Sequence, residues 1–181
     1  MRELSLHILD ILQNSVVVNS TLVQLTIIED TKEDIFEFTI EDNGKGMSKE
    51  MAESVVDPFV TARTTRRVGL GIPMLKAAAE LTGGSIKLQS QLGKGTVITA
   101  TFGHSHIDRQ PLGDIVTTMV GIITAYEEID FLYRHKVNER EYILDTREIR
   151  KILGDVSFKN NDVVLWLTEF LKENEAELYK E

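Results

Sequence analysis

Four short stretches of this chain carry side chains or backbone suited to chemistry. Asp10 and Asn14 stand four residues apart, and His7 precedes Asp10 by three, so a helix would place all three on one face. Mg²⁺ takes oxygen ligands and keeps several waters, so one Asn carbonyl beside phosphate oxygens suits it. An exposed polar helix face would carry the same stripe. In Asp42-Asn-Gly-Lys-Gly-Met47 a carboxylate is followed by two glycines at alternate positions. That carboxylate can accept from an exocyclic amine while Gly44 and Gly46 let a flat ring approach the backbone. Such a charge-assisted bond is worth roughly 1.5–3 kcal/mol and discriminates an amine from a carbonyl. An Asn-Gly hairpin turn is the alternative.

The third stretch is Gly69-Leu70-Gly71, which opens a helical pattern and would turn backbone N–H groups and the positive helix end toward an anion. Just upstream, Arg63, Arg66 and Arg67 lie in a Thr-rich run with no acid between Asp57 and Glu80. That cationic segment suits a loop closing over phosphates, and equally a solvated loop. The fourth stretch is Gly93-Lys-Gly-Thr96.

The elements that must position these groups follow from apolar spacing. Leu4, Ile8, Ile11 and Leu12 recur at helical intervals between Leu4 and Val17. Val23, Leu25 and Ile27 alternate with polar residues, as do Phe36, Phe38 and Ile40, which predicts two strands joined by a short hairpin. Pro73–Leu81 reads as a helix stopped by Thr82-Gly83-Gly84. Ser85–Gln91 and Thr96–Phe102 read as a second strand pair turning at Gly93–Gly95. The order predicts an α/β layer in which helices separate strand pairs.

After about His104 the composition changes. Residues 1–103 hold 10 Lys+Arg and 13 Asp+Glu, whereas residues 104–181 hold 10 and 16 without a glycine-rich motif. Leu112, Val116, Met119 and Ile123 fit a helix, although the β-branched residues of Ile115–Ala125 also allow a strand. Ile129–His135 and Glu141–Asp145 predict a hairpin, and Thr146–Leu153 and Asp162–Asn174 predict helices. Two regions are expected, 1–103 and a small accessory α+β region, 104–181. The accessory helices would cover the sheet or form a dimer or partner surface.

Composition narrows the function classes. The 181 residues include no Cys, 20 Lys+Arg and 29 Asp+Glu, a formal charge of −9. Disulfides and thiolate metal sites are excluded, and the charge argues against duplex nucleic acid. The longest uncharged apolar run, Ile115–Ala125, is too short to span a bilayer, and no targeting segment is visible. A cytoplasmic protein is expected.

In fixed order come an Asn-bearing helix, Asp-x-Gly-x-Gly, a basic loop, Gly-x-Gly before a helix, and Gly-x-Gly-Thr before a strand. This arrangement, over about residues 3–103, resembles the GHKL superfamily of ATP-binding domains. Histidine kinases, type II topoisomerases, MutL-type proteins and anti-sigma-factor kinases share that domain. The resemblance implies a two-layer α+β sandwich of the Bergerat type, a mixed sheet with helices on one face, plus the C-terminal extension. It implies ATP and Mg²⁺ as cofactors. Asn14 would be the Mg²⁺-binding Asn and Asp42 the adenine-reading Asp, with Gly44, Gly46 and Met47 in its loop. Residues 59–68, with Arg63 and Arg66, would form the lid over the nucleotide. Gly69, Leu70 and Gly71 would meet the phosphates, and Thr96 would support adenine through water. Asp10 stands where hydrolysing members usually carry Glu, one methylene longer, so it is a weak base candidate for activating water.

Because the first helix begins almost at Met1, the chain reads as a stand-alone module without the acceptor-histidine hairpin of a sensor kinase. The resemblance then implies a kinase that passes the ATP γ-phosphate to a separate protein on a Ser/Thr or His acceptor. A non-enzymatic ATP-gated switch and a slow Mg-ATPase serving a larger complex are the alternatives. A homodimer is compatible with each.

Overall fold

In the computed structural model, which describes residues 2–57 and 71–180, the apolar periodicities become elements with one buried face each. Helix α1 (Leu4–Val16) buries Leu4, Ile8, Ile11 and Leu12. No side chain caps its start. Its first N–H groups are instead satisfied from far along the chain: Leu4 N–H donates to the Pro111 carbonyl (2.9 Å) and Ser5 N–H to that of Leu112 (2.8 Å). Strands β1 (Leu22–Asp30) and β2 (Ile35–Asp42) bury alternate residues and pair antiparallel. A short helix α2 (Lys49–Val55) follows, capped by Ser48. Helix α3 (Gly71–Leu81) and the hairpin β3 (Ser85–Gln91) and β4 (Gly95–Gly103) complete the first part.

The segment after Gly103 contributes helix α4 (Ile115–Ala125), strands β5 (Asp130–Val137) and β6 (Arg140–Asp145), and helices α5 (Thr146–Leu153) and α6 (Asn161–Leu178). The choice between helix and strand for Ile115–Ala125 is decided by spacing. Ile115, Thr118, Met119, Ile122 and Ile123 form one buried stripe at helical intervals, and the Asp114 carboxylate caps the start by accepting from Thr117 N–H at 2.9 Å. Burial of that stripe against α1 and α6 outweighs the strand preference of the β-branched residues.

The six strands among the described residues form one mixed sheet in the order β3-β4-β2-β1-β5-β6. Strand β5 lies parallel to β1, with Leu22 opposite Asp130, so the sheet runs through both expected regions. The buried residues Val23, Leu25, Ile27, Phe36, Phe38, Ile40, Ile98, Ala100, Phe102, Phe131 and Tyr133 face the helical layer. The accessory helices extend that layer. The opposite face carries Gln24, Thr26, Thr39, Thr99 and Arg134, with a Thr39–Thr99 hydroxyl contact of 3.0 Å. The architecture is thus the α/β sandwich expected, with helices on one face.

Within the helical layer, at the end of β1 remote from Leu22, lies a buried polar cluster. His135 is fully buried, its Nδ1 3.0 Å from Glu175 Oε1 and its Nε2 3.2 Å from Glu29 Oε1. Tyr133 donates to Glu175 at 2.7 Å, and Tyr142 donates to the same carboxylate. Tyr179 donates to Glu29, whose other oxygen lies 2.9 Å from His104 Nε2. Burial alone would raise the Glu29 carboxyl, but bonds from His135, Tyr179 and His104 outweigh it and hold it at about 2. Burial likewise opposes the charge on His135, yet bonds to Glu175 and Glu29 hold its ring above the usual histidine range. The cluster clamps the His135 ring, biased toward its protonated form, between two carboxylates, and it ties α6 to β1, β5 and β6.

Candidate functional site

The sequence motifs converge at the other end of β1. Asp42 closes β2, opposite Val23 on β1 and Thr96 on β4, and its side chain is buried. One oxygen, Oδ1, accepts from Gly44 N–H at 2.9 Å, which folds the following loop back over the strand end. Its Oδ2 has no protein donor among the described residues, so an acceptor remains for a ligand. Asn43 anchors the same turn: its Oδ1 accepts from Thr21 and Leu22 N–H (2.9 and 3.0 Å), and its Nδ2 donates to Thr21 Oγ1 at 2.8 Å.

The loop is then fastened on two sides. Lys45 N–H donates to the Val18 carbonyl (3.0 Å), while its own carbonyl accepts from Gly93 N–H (2.7 Å). Gly46 has φ +66°, and a Cβ there would lie 2.0 Å from the Gln91 carbonyl oxygen, so only glycine permits this crossing. Met47 N–H donates to Ser90 Oγ at 2.8 Å, and Ser90 Oγ contacts Thr96 Oγ1 at 2.8 Å and the Gly95 carbonyl at 3.0 Å. Met47 itself packs against the core. Asp42, Gly44, Gly46, Met47 and Thr96 are therefore brought together around one loop.

Sequence reasoning missed Ser90 and Asn43. The register of the hairpin turning at Gly93–Gly95 places Ser90 opposite Thr96 and could have revealed it. Asn43, next to Asp42, carries no such signal, because its partners lie some twenty residues earlier.

On α1, Asn14 is exposed, one turn beyond Asp10, with its amide turned out of the core. Asp10 lies against the start of α3: a Cβ on Gly71 would fall 1.7 Å from Asp10 Oδ2. The carboxylate therefore fits only because residue 71 has no side chain. Its Oδ2 is shut off from solvent and has no hydrogen-bond partner among the described residues. His7, one turn earlier, is 2% exposed, and its Nε2 lies 3.1 Å from Gln110 Oε1. Burial pushes the His7 ring below the usual range, so it is neutral near pH 7. Its Nδ1 is a second buried polar atom without a hydrogen-bond partner among the described residues. Arg63, Arg66, Arg67, Gly69 and Leu70 lie outside the described residues. Among the described residues, no group of three or more His, Asp or Glu side chains is arranged to hold a metal ion. A metal here needs oxygens from another source besides Asn14, as Mg²⁺ beside phosphates has.

An exposed Asn on a helix, a buried Asp at a strand end and a clamped glycine loop stand on one helix-covered mixed sheet. The profile described as histidine kinase-, DNA gyrase B- and HSP90-like ATPase matches residues 2–106, and the chain belongs to that family. Sporulation kinase D of Bacillus subtilis (strain 168) is 40% identical over 60 residues, which cover 33% of this chain and 12% of the kinase. Histidine protein kinase DivJ of Caulobacter vibrioides is 28% identical over 102 residues, 54% of this chain and 17% of DivJ. The chain thus spans less than a fifth of the length of either kinase. In fold it is similar to the N-terminal domain of a DNA repair protein, with TM-score 0.61 and 15% identity over 89% of this chain and 56% of that one. It is also similar to the Aquifex aeolicus MutL ATPase domain complexed with ADP, with TM-score 0.54 and 12% identity over 94% and 70% of the two chains. No helix among the described residues is long and apolar enough to cross a membrane.

Proposed function

We propose that this chain binds Mg-ATP between α1, the Asp42–Met47 loop and the start of α3, and passes the γ-phosphate to a separate protein. The observation that carries the reading is Asp42, with one oxygen held by its own loop and the other without a donor among the described residues. That second oxygen is suited to accept from the adenine amine. Thr96, oriented by Ser90, stands beside it. Asn14, exposed one turn beyond Asp10, would give its side-chain carbonyl to Mg²⁺ alongside phosphate oxygens. When bound, the metal would neutralise charge on the triphosphate.

Transfer to a partner is favoured over hydrolysis by Asp10. Its side chain is one methylene shorter than Glu, and its Oδ2 is packed against Gly71 out of reach of solvent. A displacement of about 1 Å in such a group costs on the order of 10²-fold, so water is poorly activated here. A hydroxyl or imidazole of the partner is then the nucleophile. It attacks the γ-phosphorus and gives up its proton to solvent, the bond to the β-phosphate oxygen breaks, and ADP leaves with that electron pair.

Following the γ-phosphate in Mg-ATP incubated with extract of the source cells tests the reading. Labelled phosphate in a partner protein is expected. Free phosphate would make the chain an ATPase, and intact bound ATP would make it a nucleotide-gated switch. Separately, Asn14→Ala is expected to weaken Mg-ATP about tenfold or more while leaving metal-free ATP within about twofold. Calorimetric titrations with and without EDTA check this, and equal losses would remove Asn14 from the metal site.

A further inference from the structure

A second surface, independent of the nucleotide reading, lies between α5 and α6. Ile149, Ile152, Leu153, Val163 and Trp166 line an open apolar cleft of about 290 Å³, with Asp162 at its edge. Ile149 and Val163 form a buried floor, whereas Ile152 is 85% exposed and Trp166 46% exposed. Large apolar side chains grouped this way on a surface mark contact sites, whereas scattered ones do not.

The charges beside the cleft indicate what fits it. Asp162, Trp166, Glu169 and Glu173 follow one another at intervals of three or four along α6, so they share one exposed stripe. None of the three carboxylates has an ion pair among the described residues. Nearby acids do: Glu127 with Lys159, Asp130 with Arg150, Asp145 with Arg147 and Glu148 with Lys151. Along α6 itself, Lys172 is the single cation among five acids. Two copies joined cleft to cleft would bring like-charged stripes together, which opposes a homodimer here.

We propose that this cleft docks an amphipathic helix of a partner protein, with Leu-like anchors between Ile152 and Trp166 and Lys or Arg over Asp162, Glu169 and Glu173. A helix laid into a groove is a recurring recognition mode, with the apolar anchors giving affinity and the rim charges giving orientation. The start of α5 stands beside β5 at the same sheet end as the glycine loop, since Leu22, held by Asn43, pairs with Asp130. A partner seated there approaches the end of the molecule that carries Asp42.

Trp166 is the chain's single tryptophan, so its emission reports occupancy without a label. Tryptophan-free synthetic helices serve as probes: one with a Leu face and a Lys face, one with Leu and Glu, and one with the Leu/Lys composition scrambled. A saturable blue shift is expected with the Leu/Lys helix, at least about tenfold tighter than with either control. Ile152→Asp, at a site with almost no buried contact, is expected to weaken it at least about tenfold. Glu169→Lys combined with Glu173→Lys should do the same and should favour the Leu/Glu helix. Equal binding of all three helices, or a Leu/Lys affinity unchanged by Ile152→Asp, would overturn the proposal. So would sedimentation showing a dimer that Ile152→Asp dissolves, because the occupant would then be a second copy.

Discussion

Asp42→Ala is expected to lower ATP affinity by roughly 10- to 150-fold. That range corresponds to the loss of one charge-assisted hydrogen bond of about 1.5–3 kcal/mol. The effect should fall at the upper end, because the same carboxylate also holds Gly44 N–H and so shapes the loop that would receive the base. Asp42→Asn separates the two contributions. Its amide keeps an acceptor for Gly44 but can turn an N–H₂ donor toward the ligand. The preference should then move from a base presenting an amine toward one presenting a carbonyl, so that GTP or ITP gains on ATP. Calorimetric titration of each nucleotide into parent and both variants checks this. An Asp42→Ala protein, shown folded by circular dichroism, that binds ATP as tightly as the parent would sink the adenine contact.

The second large effect is expected at the opposite end of β1. His135→Phe keeps an aromatic ring of similar size but leaves Glu29 and Glu175 facing each other inside the protein without the cation between them. Removing one member of a buried, bonded charge set costs about 3–5 kcal/mol. In a domain stabilised by about 5–15 kcal/mol, that is a large fraction, and a melting temperature lower by on the order of 10 °C is expected. Nucleotide affinity measured well below that temperature should be unchanged. Asp42 pairs with Val23, and Glu29 lies six residues further along β1, roughly 20 Å away at about 3.3 Å per residue. If affinity fell along with stability, the two ends of the strand would be coupled.

The cluster also gives stability a pH dependence whose two limbs have opposite origins. Glu29 is held at about 2 against an ordinary value of 4.5. Its contribution is therefore complete above about pH 4.5 and is lost as the pH falls through about 2. His135 is raised, so its contribution is complete below the ordinary histidine value and is lost as the pH climbs through the raised one. Urea midpoints measured across pH should show a plateau between those limbs. In His135→Phe the alkaline limb should disappear.

How much was legible in the sequence differs between the two ends of the sheet. At the end that carries Asp42, Gly44 and Gly46 lie within four residues of it, and the strands that present them alternate cleanly. The loop and its strands could therefore be read together, whereas Asn43 and Ser90, which fasten the loop, could not. The helix at Ile115–Ala125 was ambiguous because its composition favours a strand while its spacing favours a helix, and only burial against α1 and α6 decides between them. The Glu29–His135–Glu175 cluster could not be read at all. Its members come from three distant segments and acquire partners only when β5 pairs with β1 and α6 folds across them. The α5–α6 cleft was hidden for a similar reason: Ile152 and Trp166 look like ordinary core residues until the packing leaves them outside.

The parallel pairing of β5 with β1 has a consequence for how the chain is made. Strand β1 finds β2 within a few residues, yet its other flank waits for residues about a hundred positions later. At ribosomal speeds of about 5–20 residues per second, that flank stays open for roughly 5–20 seconds. During that interval its free N–H and C=O groups can template pairing with another nascent chain. The family profile ends at residue 106, before β5 begins, so a fragment cut at that limit would keep the open flank permanently. In this protein the segment that carries β5 does for β1 what an edge-protecting cover does in other sheets, and it arrives long after β1.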